Sequence, residues 1–359
     1  MKRQRSAEHE RPRGGEGGMH GMAPARIDLA GGTVDLWPLY VLFPGALTIN
    51  VAVGVRAHCW IESLGGGRVR IESRDQGQVI EGRSLAELPP ATLPLPRTLA
   101  EQLAPEGGFR MVLAAEAPAG SGLGGSSALA VAIATTLAAW TGRRLSKWQT
   151  VELCRNAEAR ILGVPTGDQD YHPALWGGLV ALRFGLDGVR RETLDVDPGE
   201  LERRLVLGYS GVSRSSGLNN WDVFRGVVER RGALVKRLER IVEAANALRA
   251  ALLAGDWHAA ALAIDAEWAA RAQLAAGIRT PELTRIERAA RRAGAVAAKV
   301  CGAGGGGCIA FLVEPGDRDA VASAVVRAGG QVLASTIARR GVQVKRVAAG
   351  GPGRPATAL

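Results

Sequence analysis

A two-lobed α+β fold is what this sequence predicts, on three observations. Alternating strand patterns fill the first third of the chain, a glycine-rich turn then gives way to long helical stretches, and short strands return among helices in the second half. That order lacks the regular strand–helix alternation of a parallel doubly wound sheet. At 359 residues the chain also exceeds what one hydrophobic core usually organises, which favours two lobes sharing a cleft.

The elements follow in order. Residues 49–62 alternate, with Ile49, Val51, Val53, Val55, Ala57, Cys59 and Ile61 on one face, as a half-buried strand requires. Shorter strands are expected at 68–73 and 79–82, then a proline-rich connector at 89–96 and a strand at 109–117. Helices are expected at 126–141, 146–162, 219–253 and 281–293; Ser146 is an N-cap signal and Pro281 a first-turn proline. Strands return at 179–184, 205–209, 309–313, 331–338 and 342–347. The division expected is a basic, glycine-rich tail over 1–22, an N-terminal lobe over 23–200, a C-terminal lobe over 201–348 and a flexible end over 349–359.

Composition narrows the function classes. The net charge is +10, but between Arg225 and Arg249 the basic residues alternate with Glu229, Glu239 and Glu243, the pattern of a solvated helix with local ion pairs. No zinc-finger spacing or aromatic RNA-binding motif accompanies the charge, so no nucleic-acid partner is expected. Four scattered cysteines without a C-x-x-C pair fit a reduced, cytoplasmic setting and no thiolate metal site. The most apolar stretch, 128–140, is too short to span a bilayer, and no membrane partner is expected.

The most informative segment is Pro118-Ala119-Gly120-Ser121-Gly122-Leu123-Gly124-Gly125-Ser126-Ser127-Ala128, between an expected strand and an apolar helix. Glycines let the backbone turn tightly and approach a ligand, and a helix N-terminus offers free N–H groups to an anion, so this reads as a phosphate cradle. A dinucleotide fold needs an acidic residue about 20 positions on, where the basic turn Gly142-Arg143-Arg144 stands. Gly120 and Gly125 also fit the frame of a P-loop, but the lysine that should follow the second glycine is Ser126 here.

The segment resembles the second motif of the GHMP kinases, P-x-x-x-G-L-G-S-S-A, with Gly125 at the first serine and Ser127 added before Ala128. Two further stretches resemble that family's first and third motifs in the right order: Ala23-Pro24-Ala25-Arg26-Ile27-Asp28-Leu29-Ala30-Gly31-Gly32-Thr33-Val34-Asp35, and Lys299-Val300-Cys301-Gly302-Ala303-Gly304-Gly305-Gly306-Gly307-Cys308. Glu158-Ala159-Arg160-Ile161-Leu162-Gly163-Val164-Pro165-Thr166-Gly167-Asp168-Gln169-Asp170 is similar to the mevalonate kinase stretch E-x-x-I-x-G-x-P-S-G-x-D, with one extra residue before the aspartate.

The resemblance implies a GHMP kinase fold with ATP and acceptor sites in the cleft between lobes, and transfer of the γ-phosphate of ATP to an alcohol. It assigns the ATP phosphates to Gly120, Ser121, Gly122, Leu123, Gly124, Gly125, Ser126 and Ser127, and Mg²⁺ to Ser126 and Glu158. Asp170, chosen over Asp168 because Gly177-Gly178 follow it at the family spacing, is implied as the base. A carboxylate with a pKa near 4 is a weak base for an alcohol and needs a cation beside it; Arg26 holds the family's basic position. Asp35 closes the first motif as in sugar kinases. Together with Gln169-Asp170 and Tyr209-Ser210-Gly211-Val212-Ser213-Arg214-Ser215-Ser216 it points toward the D-glycero-D-manno-heptose 7-phosphate kinase branch, with Gly304, Gly305 and Arg214 also expected at the acceptor. Val34 before the aspartate and Asn219-Asn220-Trp221 depart from that branch. Trp37 and Tyr40 either stack on a sugar or join the core, and His172, beside Pro173, is expected to be structural. The alternatives are a mevalonate- or phosphomevalonate-type kinase and a sugar-binding regulator without transfer. The expected partner is a small sugar or sugar phosphate, and the expected assembly a monomer or homodimer.

Overall fold

The computed structural model describes residues 17–103, 105–213 and 217–348. The first motif is a strand, β1 (Gly18–Ala30), followed by a one-turn helix α1 (Leu39–Leu42) and the long strand β2 (Leu47–Ser63). The sequence expectation had left residues 18–22 in the tail. They pair along β2 from Gly18↔Glu62 to Met22↔His58 and are part of the sheet. The hairpin β3 (Val69–Ser73) and β4 (Gln78–Gly82) precedes α2 (Pro94–Leu103), which starts inside the expected proline-rich connector, because proline is tolerated in a helix's first turn. Strand β5 (Phe109–Ala115) leads through the glycine segment into α3 (Gly125–Trp140) and then α4 (Lys147–Leu162). The latter begins in a reciprocal Ser146/Gln149 capping box and ends at Gly163 in the left-handed conformation. Next come α5 (Tyr171–Trp176), β6 (Leu179–Gly185), β7 (Gly188–Thr193), α6 (Pro198–Arg203) and β8 (Leu205–Tyr209).

One long helix was expected over 219–253. The chain instead forms α7 (Gly217–Val228) and α8 (Gly232–Ala254), broken where Arg230 takes φ +56°. A non-glycine residue there cannot continue a right-handed helix. Helix α9 (Trp257–Arg271) follows, capped by the Asp256 side chain, then α10 (Pro281–Arg292), capped by Thr280. Strands β9 (Ala295–Val300) and β10 (Cys308–Val313) flank the third glycine motif, and α11 (Arg318–Arg327), β11 (Gln331–Leu333) and β12 (Gln343–Val347) complete the described chain.

Two sheets carry these elements. The first runs β12-β1-β2-β5-β3-β4, with β6 and β7 branching from β2; only β3 and β5 are parallel. The second is an antiparallel β11-β8-β10-β9. Thus β12, expected in the second lobe, returns to the first sheet, where Gly18 faces Val347. Helix α3 is apolar all round and lies sealed between α2, α4 and the β1–β2 pair, as a buried core helix must. Its first turn therefore points into the cleft between the two sheets.

Candidate active site

The cleft encloses about 750 Å³, within the range of small-molecule sites. Its first wall is the phosphate segment. Gly120, Gly122 and Gly124 have φ of +68°, +77° and +66°, conformations that favour glycine. Gly122 also has no room for a side chain: a Cβ there would lie 2.3 Å from the Cys301 carbonyl. Among the described residues no protein acceptor takes the amide N–H groups of 122–127. They form an open row at the N-terminus of α3, suited to an anion.

Glu158, from α4, is buried against the start of α3. Ser126 Oγ donates to its Oε1 at 2.6 Å, and Ser127 Oγ and the Tyr171 hydroxyl donate to Oε2 at 2.8 and 2.5 Å. Burial raises the carboxyl above its ordinary range, and the three hydroxyl donors pull it back. One carboxylate and one hydroxyl at the edge of a phosphate cradle suit Mg²⁺, which keeps few protein ligands beside phosphate oxygens and water. Among the described residues no three His, Cys, Asp or Glu side chains converge into a cage that would hold a metal without such help.

Arg26 and Asp170 meet across the cleft floor. The Arg26 Nε and Nη2 lie 2.9 and 2.7 Å from Asp170 Oδ1, and its Nη1 donates to the Gly122 carbonyl at 2.5 Å. The guanidinium is buried, while Asp170 is a quarter exposed toward the cleft. Asp168, two residues earlier, does not line the cleft; it is paired with Arg155 at 3.0 Å.

Asp35 lies farther along the same floor, buried and accepting the Gln169 backbone N–H at 3.2 Å. Burial first and the Asp170 charge second push its carboxyl up to about 7. Gly167 is what lets it lie there, since a Cβ at that position would be 1.9 Å from Asp35 Oδ2.

Of the third-motif residues, Gly304 lines the cleft, while the Gly305 amide is turned away and donates to the Ile278 carbonyl at 2.7 Å. Arg214 falls outside the described residues. Neither Trp37 nor Tyr40 lines the cleft: Trp37 is 63% exposed and Tyr40 packs on Phe184. His172 is fully buried, stacked on Trp176 with Trp148 at its edge, and burial lowers its pKa to about 3.

The sequence reading missed a buried charge cluster behind Asp35. Arg271, at the end of α9, donates to Glu267, to the Gly32 carbonyl at 2.7 Å and to Thr33 Oγ1 at 3.0 Å. Lys299 Nζ lies 3.0 Å from Asp28 Oδ2 and 3.8 Å from Glu267 Oε1. The i, i+4 pair Glu267 and Arg271 on an otherwise alanine-rich helix was the available signal, because a lone ion pair on an apolar helix is either solvated or committed to a buried network.

The GHMP kinases N terminal domain matches residues 95–178 and the GHMP kinases C terminal domain residues 248–331. A D-glycero-alpha-D-manno-heptose 7-phosphate kinase from Campylobacter jejuni is 25% identical over 344 residues, 90% of this chain and 98% of its own length. A mevalonate kinase from Thermococcus onnurineus is 26% identical over 346 residues, again 90% of this chain and 98% of its own. Among solved structures, a D-glycero-D-manno-heptose 1-phosphate kinase from Bacteriodes thetaiotaomicron superposes with a TM-score of 0.74 at 26% identity, covering 92% of this chain and 99% of that one. With both domains in order on a matching fold, and motif residues of each meeting at one cleft, the chain carries the N- and C-terminal domains of the GHMP kinases.

Proposed function

We propose that this protein transfers the γ-phosphate of ATP to a hydroxyl of a sugar or sugar phosphate, with the anomeric hydroxyl of a heptose 7-phosphate as the leading acceptor. The observation that carries the reading is the Arg26–Asp170 pair, held against the phosphate segment and sharing one cleft floor with Asp35.

The open amides of 122–127 bind the nucleotide phosphates, and the apolar end of the cleft at Leu93, Pro94, Pro96 and Leu113 accepts the base. Ser126 and Glu158 hold Mg²⁺, which when bound neutralises charge on the transferring phosphoryl group. Arg26 fixes Asp170 through Oδ1 and leaves Oδ2 for the acceptor hydroxyl. As the acceptor oxygen bonds to the γ-phosphorus, the bond to the ADP oxygen breaks and the hydroxyl proton passes to Asp170. A carboxylate takes that proton late, when the oxygen has already lost basicity to phosphorus, and the Arg26 guanidinium beside Asp170 is the neighbouring cation. Asp35 accepts hydrogen bonds from neighbouring ring hydroxyls and orients the ring.

A mevalonate-type acceptor is the second reading, supported by the mevalonate kinase among the similar proteins. The test is ADP release with Mg-ATP against free hexoses, heptose 7-phosphate, mevalonate and phosphomevalonate, with Asp170→Asn as control. Turnover of a sugar phosphate that the substitution abolishes supports the proposal. Turnover of mevalonate alone overturns the sugar assignment, and ATP binding without turnover of any acceptor points to a regulator.

A further inference from the structure

The cleft floor beside Asp35 contains buried polar atoms without partners. Gln169 is 7% exposed; its backbone N–H serves Asp35, yet its side-chain Oε1 has no hydrogen-bond partner among the described residues. Asp28 is fully buried; Lys299 faces its Oδ2, and its Oδ1 has no partner among the described residues. Arg271 is 1% exposed and has five N–H donors. Glu267 takes one from Nε and one from Nη2, Gly32 takes the other Nη2 donor and Thr33 one of the two on Nη1, so one Nη1 donor is left over. All three side chains line the same cleft as Asp170.

Stranding polar atoms in this way is costly, because each buried group without a partner forfeits its hydration. Native proteins seldom tolerate it except where a ligand or water completes the bonding. The charge balance identifies what completes it here. Lys299 and Arg271 are matched by Asp28 and Glu267 within the cluster, so no net charge is left to attract an anionic or cationic group. On the side chains that line the cleft, what remains are the acceptors Asp28 Oδ1 and Gln169 Oε1, with Asp28 Oδ2 facing Lys299 without a hydrogen bond, and one donor on Arg271; Glu267 Oε2, also without a partner among the described residues, does not line the cleft. A hydroxyl group both donates and accepts, and a run of neutral hydroxyls on one ring meets such a mixed set.

We infer that Asp28, Gln169 and Arg271 form a hydroxyl-binding subsite that, with Asp35, selects a neutral polyhydroxylated ring and disfavours an acceptor presenting a carboxylate to this end of the cleft. The inference rests on the sugar-kinase reading above and deepens it. It also gives α9 of the second lobe a direct part in acceptor choice, although both the base and the phosphate cradle come from the first.

The test is isothermal titration of the full chain, without nucleotide, with D-glycero-D-manno-heptose 7-phosphate and with mevalonate, for wild type, Gln169→Leu and Arg271→Lys. The expected result is heptose phosphate binding weakened about tenfold in Gln169→Leu, the worth of one hydrogen bond to a buried partner. Thermal unfolding of that variant without ligand should be unchanged or raised, because the stranded oxygen is gone. A merely structural glutamine would show the opposite pair, a lowered unfolding temperature with binding intact, and that would overturn the subsite. Arg271→Lys, which keeps the charge but not the fork, should weaken heptose phosphate and leave the KM for ATP unchanged; equal effects on both ligands would count against it. Wild-type turnover of heptose phosphate with unaltered binding in both variants sinks the subsite and leaves the kinase reading standing, whereas turnover of mevalonate alone removes the sugar reading itself.

Discussion

The two glycine-rich loops that face each other across the cleft use the same residue to opposite ends. In the loop before α3, positive-φ glycines leave the amides of 122–127 without protein acceptors. In the loop between β9 and β10 several amides are committed to the protein: Gly305 donates to Ile278, Gly307 to Val212 and Cys308 to Ser121, at 2.7 to 2.9 Å. The first loop leaves its row of amides open, and the second braces it. They interlock, since a Cβ on Gly122 would meet the Cys301 carbonyl and one on Gly307 would lie 2.6 Å from the Ser121 carbonyl. A run of glycines in a sequence therefore does not by itself mark a ligand; what matters is where its N–H groups go.

Substitutions that separate the two roles test this contrast. Gly122→Val combines a left-handed φ with a backbone clash and should have the largest effect, a loss of more than about 3 kcal/mol seen as little folded protein in urea titration. Gly124→Ala should leave the fold largely intact but press on Asp170, whose Oδ2 would lie 3.1 Å from the new Cβ; kcat should fall about a hundredfold with a smaller change in the KM for ATP. Ser126→Ala removes a hydroxyl from the first loop only, and should raise the Mg²⁺ concentration needed for half-maximal rate by about tenfold with little change in unfolding temperature. On the cleft floor, burial pushes the Asp35 carboxyl up to about 7, and hydroxyls donate more strongly to its carboxylate than to its protonated form. Acceptor affinity should therefore rise as pH increases through 7, by up to about tenfold between pH 6 and 8, and Asp35→Asn should flatten the profile. Gly66→Ala, at φ +73° with open space around it and away from both loops, sets the lower bound at about 1–2 kcal/mol of stability and no change in rate.

The sequence was legible where local chemistry decides structure. The alternation of β2, the Ser146 cap of α4 and the first-turn proline of α10 were all readable, as were the glycine segment and its position before an apolar helix. Less visible were features decided by distant partners. Strand β1 was read as a motif and part of a tail, because its pairing with β2 and β12 is long-range. Helix α9, with alanine at nearly half its positions, gave little apolar periodicity, and the break at Arg230 carries no proline or glycine of its own. The site divides the same way. Glu158, Asp170 and the phosphate segment are close to motif spacing, whereas the cluster of Asp28, Glu267, Arg271 and Lys299 draws on three distant stretches that no local pattern connects.

The return of β12 to β1 sets an order of events during synthesis. Residues 18–22 emerge from the ribosome early, but their outer partner, Gln343–Val347, is made only after the whole second lobe. Until then that edge of the first sheet presents unpaired N–H and C=O groups, a template for pairing with another chain. Closing so long a loop is also among the slower steps available to a folding chain. The nascent protein thus passes through a stage in which its second lobe is complete while the margin of its first sheet is still open, and there a holding chaperone would have most to protect.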